Sequence, residues 1–222
     1  MTGMTRTHWA AVTAVVLALL FAGAATVASA GGSAPAAGTP SSASADAGFA
    51  RDMSVHHQQA VEMSFVVRDR TEDEEVRRLA YDIANTQANQ RGMMLGWLDL
   101  WGLPKVVAGS EPMAWMHEDG AASGHAGHGA ADDAGDGPLM PGMATRSEMA
   151  KLAGLSGKEA EIYYLQLMIT HHNGGVAMAE GCVRLCEVGT ERSLAQGMVD
   201  AQRSEVELMV GLLKKRGAQP LV

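Results

Sequence analysis

Apolar residues recur along this chain at helical spacing, in four long runs. Alternating steps of four and three visit Phe49, Met53, His56, Ala60, Met63 and Val67 in the first run, over roughly residues 46–69. In the second, about 72–101, they visit Val76, Ala80, Ile83, Gln87, Gln90, Met94, Trp97 and Trp101. The third, about 157–187, gives Tyr164, Met168, His171, Gly175, Met178 and Cys182; the fourth, about 190–216, gives Ala195, Met198, Gln202, Glu205, Met209 and Leu212. A stripe of this kind is the face by which a helix packs on its neighbours. Thr71–Glu74 and Ser156–Glu159 read as capping boxes opening the second and third helices. Gly102 with Pro104, and Gly217 with Pro220, end the second and fourth.

The runs are duplicated. At one offset of 115 residues, Phe49 falls on Tyr164, Met53 on Met168, His56-His57 on His171-His172 and Met63 on Met178. The register continues through Leu79 on Leu194, Gln87 on Gln202, Met94 on Met209, Leu98 on Leu213 and Gly102 on Gly217. Two copies of a helical hairpin, residues 46–104 and 157–217, predict an all-α fold: an antiparallel four-helix bundle domain over 46–217.

In all four runs the stripe is apolar at its ends and polar in its middle. Counting back from the hairpin turns places His56 near Gln87 and His171 near Gln202. Burying such groups unpartnered costs a few kcal/mol each, so His56, His171, Gln87, Gln90, Gln202 and Glu205 need partners. Two readings stand: a mutual hydrogen-bond network that fixes register, or a ligand site.

The surrounding residue types bear on which ligand. Met53 lies one turn from His57, and His56 two turns from Met63; Met168, His172, His171 and Met178 repeat this. Neighbouring histidines point about 100° apart, so one ring can face the seam while the other faces a groove. Imidazole suits several transition metals, whereas thioether sulfur favours Cu(I). A Met/His-rich loop over 106–145 adds Met116, His117, His125, His128, Met140 and Met143 as further candidates. An exposed acidic loop gives such methionines no packing role. Cys182 and Cys186 sit one turn apart; they read as a disulfide that would distort the end of the third helix, a buried thiol, or, for Cys182, a soft ligand.

Other chemistries lack their motifs. No Glu-x-x-His pair is present for a di-iron centre, and no H-E-x-x-H, paired C-x-x-C, phosphate loop or G-x-S-x-G. An envelope metalloenzyme would need an open coordination position and a substrate pocket, and the sequence displays neither. The formal charge of −8 argues against a nucleic-acid partner.

The first thirty residues read as a signal peptide, with Arg6, an apolar run and Ala28-Ser29-Ala30 at the cut. Residues 31–45, rich in Gly, Ser, Ala and Pro, read as a flexible linker. The expected location is secreted or in the cell envelope, with a retained signal anchor as the only route to a membrane.

The doubled Met-x-x-His-His, Met140-Pro-Gly-Met143 before the second copy, and Gln87/Gln202 with Met94/Met209 resemble the domain-of-unknown-function 305 family. That family includes CopM-like periplasmic copper-binding proteins, and the resemblance spans roughly residues 46–217. It implies a ferritin-like bundle without a di-iron centre. It also implies copper binding by Met and His in some members; the expected ion is copper, Cu(I) ahead of Cu(II), and the expected partners are the ion and other copper-handling envelope proteins. Carried over by position, the ligands it implies are Met53, His56, His57, Met63, Met168, His171, His172 and Met178, then Met140 and Met143. The expected function is copper sequestration, tolerance or delivery; the alternative is a non-metal helical interaction module.

Overall fold

The computed structural model describes residues 38–116 and 136–221. Residues 1–30, read as a signal peptide, lie outside the described residues, as do 31–37 of the linker and His117, His125 and His128.

Four long helices carry the fold: α1 (Ala45–Arg68), α2 (Glu74–Leu100), α4 (Gly157–Leu185) and α5 (Gly189–Lys215). A nine-residue α3 (Arg146–Gly154) and a 3-10 turn (Ala114–Met116) punctuate the connection between the hairpins. α1 packs along α2, α4 along α5, and the two hairpins meet through α1 and α4. Met53 shares one buried cluster with Met178, and Met63 shares the other with Met168. α1 and α4 therefore run antiparallel, and the histidines at their midpoints separate two apolar cores. Among the described residues no helix is long and apolar enough to cross a membrane.

The repeat persists into the helix ends. After α2, Gly102 adopts φ +66° while Leu103 N–H reaches the Leu98 carbonyl at 2.9 Å. After α5, Gly217 adopts φ +73° while Ala218 N–H reaches the Leu213 carbonyl at 3.0 Å. Both are Schellman closures, which use glycine's freedom at positive φ.

The N-termini depart from the sequence expectation. α2 begins two residues late and is capped by Asp73, whose carboxylate accepts from Val76 N–H at 3.0 Å. The Thr71 hydroxyl is used elsewhere: it accepts from Asp73 N–H and donates to buried Glu161 on α4. Ser156 forms no side-chain cap on α4. The chain enters that helix through Gly157 at φ +54°, and the Gly157 N–H bonds the Arg70 carbonyl of the other hairpin at 2.6 Å. Arg216, nearly buried, ion-pairs with Glu161 at 2.7 Å and Asp73 at 2.9 Å, tying α5 to the same corner.

α3 is the element not expected from the pattern. Thr145 and Glu148 close a full capping box at its start. Just before it, Met140-Pro141-Gly142-Met143 forms a turn closed by Met143 N–H to the Met140 carbonyl at 3.1 Å, with Gly142 at φ +80°. Pro second and a positive-φ Gly third is the signature of a type II turn. The turn lies on α4 so closely that a Cβ on Gly174 would fall 2.0 Å from the Pro141 carbonyl oxygen. Gln59 holds the following residue with two bonds, donating to the Ala144 carbonyl at 2.8 Å and accepting from its N–H at 2.7 Å.

Gly174→Ala meets backbone that cannot yield cheaply, so it should destabilise the fold by about 1–3 kcal/mol. Gly197→Ala, exposed within α5 and facing open space, should stabilise it by about 0.5–1 kcal/mol. Urea unfolding of the two variants compares these; equal midpoints would show that the turn is not seated as described.

Candidate metal centre

The four histidines of the two Met-x-x-His-His motifs are buried side by side at the crossing of α1 and α4. The His56 and His171 rings lie 3.8 Å apart between centroids, tilted by 36°. Each ring directs Nε2 at an oxygen. His56 Nε2 meets the Pro141 carbonyl at 3.2 Å, and His171 Nε2 meets the His56 carbonyl at 3.1 Å. His57 Nε2 meets Gln90 Oε1 at 2.9 Å, and His172 Nε2 meets Glu205 Oε2 at 2.6 Å. Carbonyl and carboxylate oxygens only accept, so each Nε2 carries the proton and donates. In a neutral ring the proton on Nε2 leaves a bare lone pair on Nδ1.

All four Nδ1 atoms are buried and have no hydrogen-bond partner. Nothing donates to any of the lone pairs, and an unmet buried acceptor costs about 1–3 kcal/mol. An oxygen acceptor on one imidazole nitrogen with the other nitrogen free is the arrangement that orients a metal-ligating histidine. The same layer holds Gln87, with both amide atoms unpartnered, and Gln202, whose Oε1 is also unpartnered. Gln202 Oε1 fits against α4 because Gly175 has no side chain: a Cβ there would come within 2.5 Å of it.

Burial also fixes the charge state. Loss of water pushes His56 down to about 4, an effect that the Pro141 contact partly offsets. Loss of water, with His56 nearby, pushes His57 down to about 3. His171 is lowered well below its ordinary value by burial and then by the neighbouring histidines. These three rings are thus neutral at pH 7, the form that binds metal.

The methionines flank this layer on both sides. Met53, Met140 and Met178 belong to one adjoining core, and Met63 and Met168 to the other. Met140 is a correction to the sequence reading: it is buried, and Met143 is partly buried against the same core, because the type II turn folds onto α4. Glu205 reaches the layer as the hydrogen-bond partner of His172. Met116 does not, since it rests on Gly181, ten residues and about 15 Å of helix rise beyond His171. Cys182 is also corrected as a soft ligand: it forms a disulfide with Cys186. The bridge lies where α4 ends at Leu185, and its Cα atoms are 4.8 Å apart, within the range a disulfide uses.

The histidines do not form one compact cage. Among the described residues, the single set of three His, Cys, Asp or Glu donors within 4.8 Å of one another is Asp46, Cys186 and Glu191, away from this layer. An ion between the hairpins would therefore complete its shell with groups outside those four residue types, and methionine is the abundant one.

Hydrogen-bond pairing differs from the simple count back from the turns. His57 pairs with Gln90 and His172 with Glu205, both 33 residues apart, while His56 and His171 turn to backbone carbonyls. Gln90 and Glu205 are related by the same 115-residue offset as the histidines. That relation is the signal in the sequence that marks them as ring-orienting residues.

The family model described as Domain of unknown function (DUF305) matches residues 46–213. The chain belongs to this family. A DUF305 protein of Streptomyces coelicolor, described as secreted, is 62% identical; the match covers 82% of this chain and 99% of that one, with a TM-score of 0.71. A DUF305 fragment from Deinococcus radiodurans is 30% identical over 77% of this chain and 96% of that one, TM-score 0.60. CopM in its Cu(I)-bound form is 20% identical over 77% and 96%, TM-score 0.55, and shares the fold of this DUF305 chain. No curated protein matches the chain.

The depressed histidines make stability pH-dependent. Unfolded imidazoles take up protons as pH falls below about 6.5. The folded rings refuse them down to about 4 for His56 and about 3 for His57. The unfolded state then binds more protons, so stability falls with falling pH by up to about 1.4 kcal/mol per unit per histidine. Urea midpoints of metal-free protein should drop between pH 6.5 and 4.5, and less steeply in His57→Gln. A midpoint unchanged over that range would contradict the buried neutral rings.

Proposed function

We propose that this DUF305 chain is an exported metal-binding protein that takes up copper, Cu(I) in preference to Cu(II), for sequestration, tolerance or delivery. The observation that carries the reading is the set of four buried, unpartnered Nδ1 lone pairs at the meeting of the hairpins. A network built only to fix register would pair these atoms with one another. Here all four Nε2 positions are satisfied and all four Nδ1 positions are left over.

The choice of copper rests on donor softness. Neutral imidazole nitrogen and thioether sulfur together suit Cu(I) better than other common cations. The proposed ligands are His56, His57, His171 and His172 with Met53, Met63, Met168 and Met178, and then Met140 and Met143, whose turn meets His56 through the Pro141 carbonyl. CopM, which has this fold, is known in Cu(I)-bound, Cu(II)-bound and silver-bound forms. Export is supported by the leader-like residues 1–30 and by the secreted description of the Streptomyces relative. The copper ion is cargo: Nε2–H bonds to Pro141, His56, Gln90 and Glu205 hold the rings, and apolar cores on both sides exclude water.

Anaerobic Cu(I) titration against a competing chelator tests the proposal. Wild type should bind tighter than micromolar, and saturation at a hundredfold excess over Kd should add about 2.7 kcal/mol of stability. Joint replacement of His56 and His171 by Gln, or of Met63 and Met178 by Leu, should weaken binding at least tenfold. Met93→Leu, at an exposed methionine of α2, should leave it unchanged. Binding weaker than micromolar, or equal affinity in all variants, would overturn the reading.

A further inference from the structure

A second donor set lies at the end of the bundle where α1 begins and α4 gives way to α5. Asp46, in the first turn of α1, is buried, and its Oδ1 accepts from Glu187 N–H at 3.0 Å and Val188 N–H at 2.7 Å. These donors precede α5, which has no side-chain cap of its own. Glu191, in the first turn of α5, is fully buried, and neither of its oxygens has a hydrogen-bond donor. One oxygen of Asp46, one of Glu191 and the sulfur of Cys186 all lie within 4.8 Å of one another. Burial, then the Asp46 charge and a side-chain hydrogen bond with Asp46, pushes Glu191 up to about 9. Two carboxyl groups and a sulfur thus share a buried corner.

We propose that reduction of the Cys182–Cys186 disulfide opens a metal site in this corner for a divalent cation of the zinc type, with Cys186, Asp46 and Glu191 as ligands. In the oxidised protein the sulfur belongs to a disulfide and offers no thiolate, the form that binds metal. Reduction by an external dithiol breaks the Sγ–Sγ bond. The reductant gives two electrons and two protons and closes its own disulfide; Cys182 and Cys186 each gain one proton. The ion then displaces the protons of Cys186 and Glu191 to solvent and binds the thiolate and both carboxylates. Mixed thiolate and carboxylate donors suit a borderline cation better than the thioether-rich layer between the hairpins does. The chain would then carry two ion sites of different chemistry, and only this one would depend on thiol state.

Co2+ is the probe, because its sulfur-to-metal charge-transfer absorption reports thiolate ligation and the His/Met layer contains no thiolate. The full chain is reduced with a dithiol, desalted without oxygen and titrated beside the disulfide form. The reduced protein should develop the band with one equivalent of Co2+ and lose it to Zn2+; the oxidised protein should show none. Glu191→Gln should weaken Co2+ binding at least tenfold with helix content retained by circular dichroism. If that variant does not fold, Cys186→Ser, which keeps both carboxylates, should abolish the band. The proposal is overturned if reduced wild type shows no band at stoichiometric Co2+. It is equally overturned if the affinity is undiminished in Glu191→Gln, or if the band survives in Cys186→Ser.

Discussion

Each of the four buried imidazoles directs its Nε2–H at an oxygen, and that hydrogen bond decides which nitrogen is left over. The oxygen partners differ in kind: a loop carbonyl, a helix carbonyl, an amide and a carboxylate. The outcome is the same in every ring. Nδ1 is buried and has no protein hydrogen-bond partner. With desolvation holding His56, His57 and His171 neutral, the layer keeps buried, unpaired nitrogens at the centre of the bundle, and the rest of the molecule is arranged around it. Two apolar cores insulate it on either side, Gly174 and Gly142 admit the turn that covers it, and Gly175 admits Gln202.

Duplication explains why such a layer arises at the centre. One hairpin carries a His-His pair on its first helix and a ring-orienting residue 33 positions after the second histidine. Packing two copies through their first helices, running in opposite directions, brings His56 to His171 and places the methionines of each copy in both cores. The copies have diverged at the orienting position, Gln90 in one and Glu205 in the other. His172 therefore faces a carboxylate and His57 a neutral amide, so the two halves are not chemically identical.

The four helices and the polar layer were legible in the sequence because both are periodic. A seam repeats every seven residues, and the 115-residue offset repeats the seam. Ring orientation was not legible: whether His56 or His57 meets a glutamine depends on rotation about the helix axis and on χ angles, to which spacing is blind. α3 carries a plain capping box at Thr145 and Glu148, yet nine residues are too few for periodicity to stand out. Burial of Met140 depends on a glycine of α4 lying opposite a turn that is distant in sequence. The Cys182–Cys186 bridge depends on where α4 stops, a boundary known from pattern only to within a residue or two.

Nitrogen NMR of the four imidazoles, recorded before and after one equivalent of Cu(I), tests the central claim most directly. The metal-free protein should show His56, His57 and His171 neutral and protonated on Nε2, each with Nδ1 at the shift of a bare lone pair. Copper should move the Nδ1 resonances of rings on both hairpins while the Nε2 protons stay in place. Metal-free spectra with protons on Nδ1, or Nδ1 resonances unmoved by copper, would contradict the account.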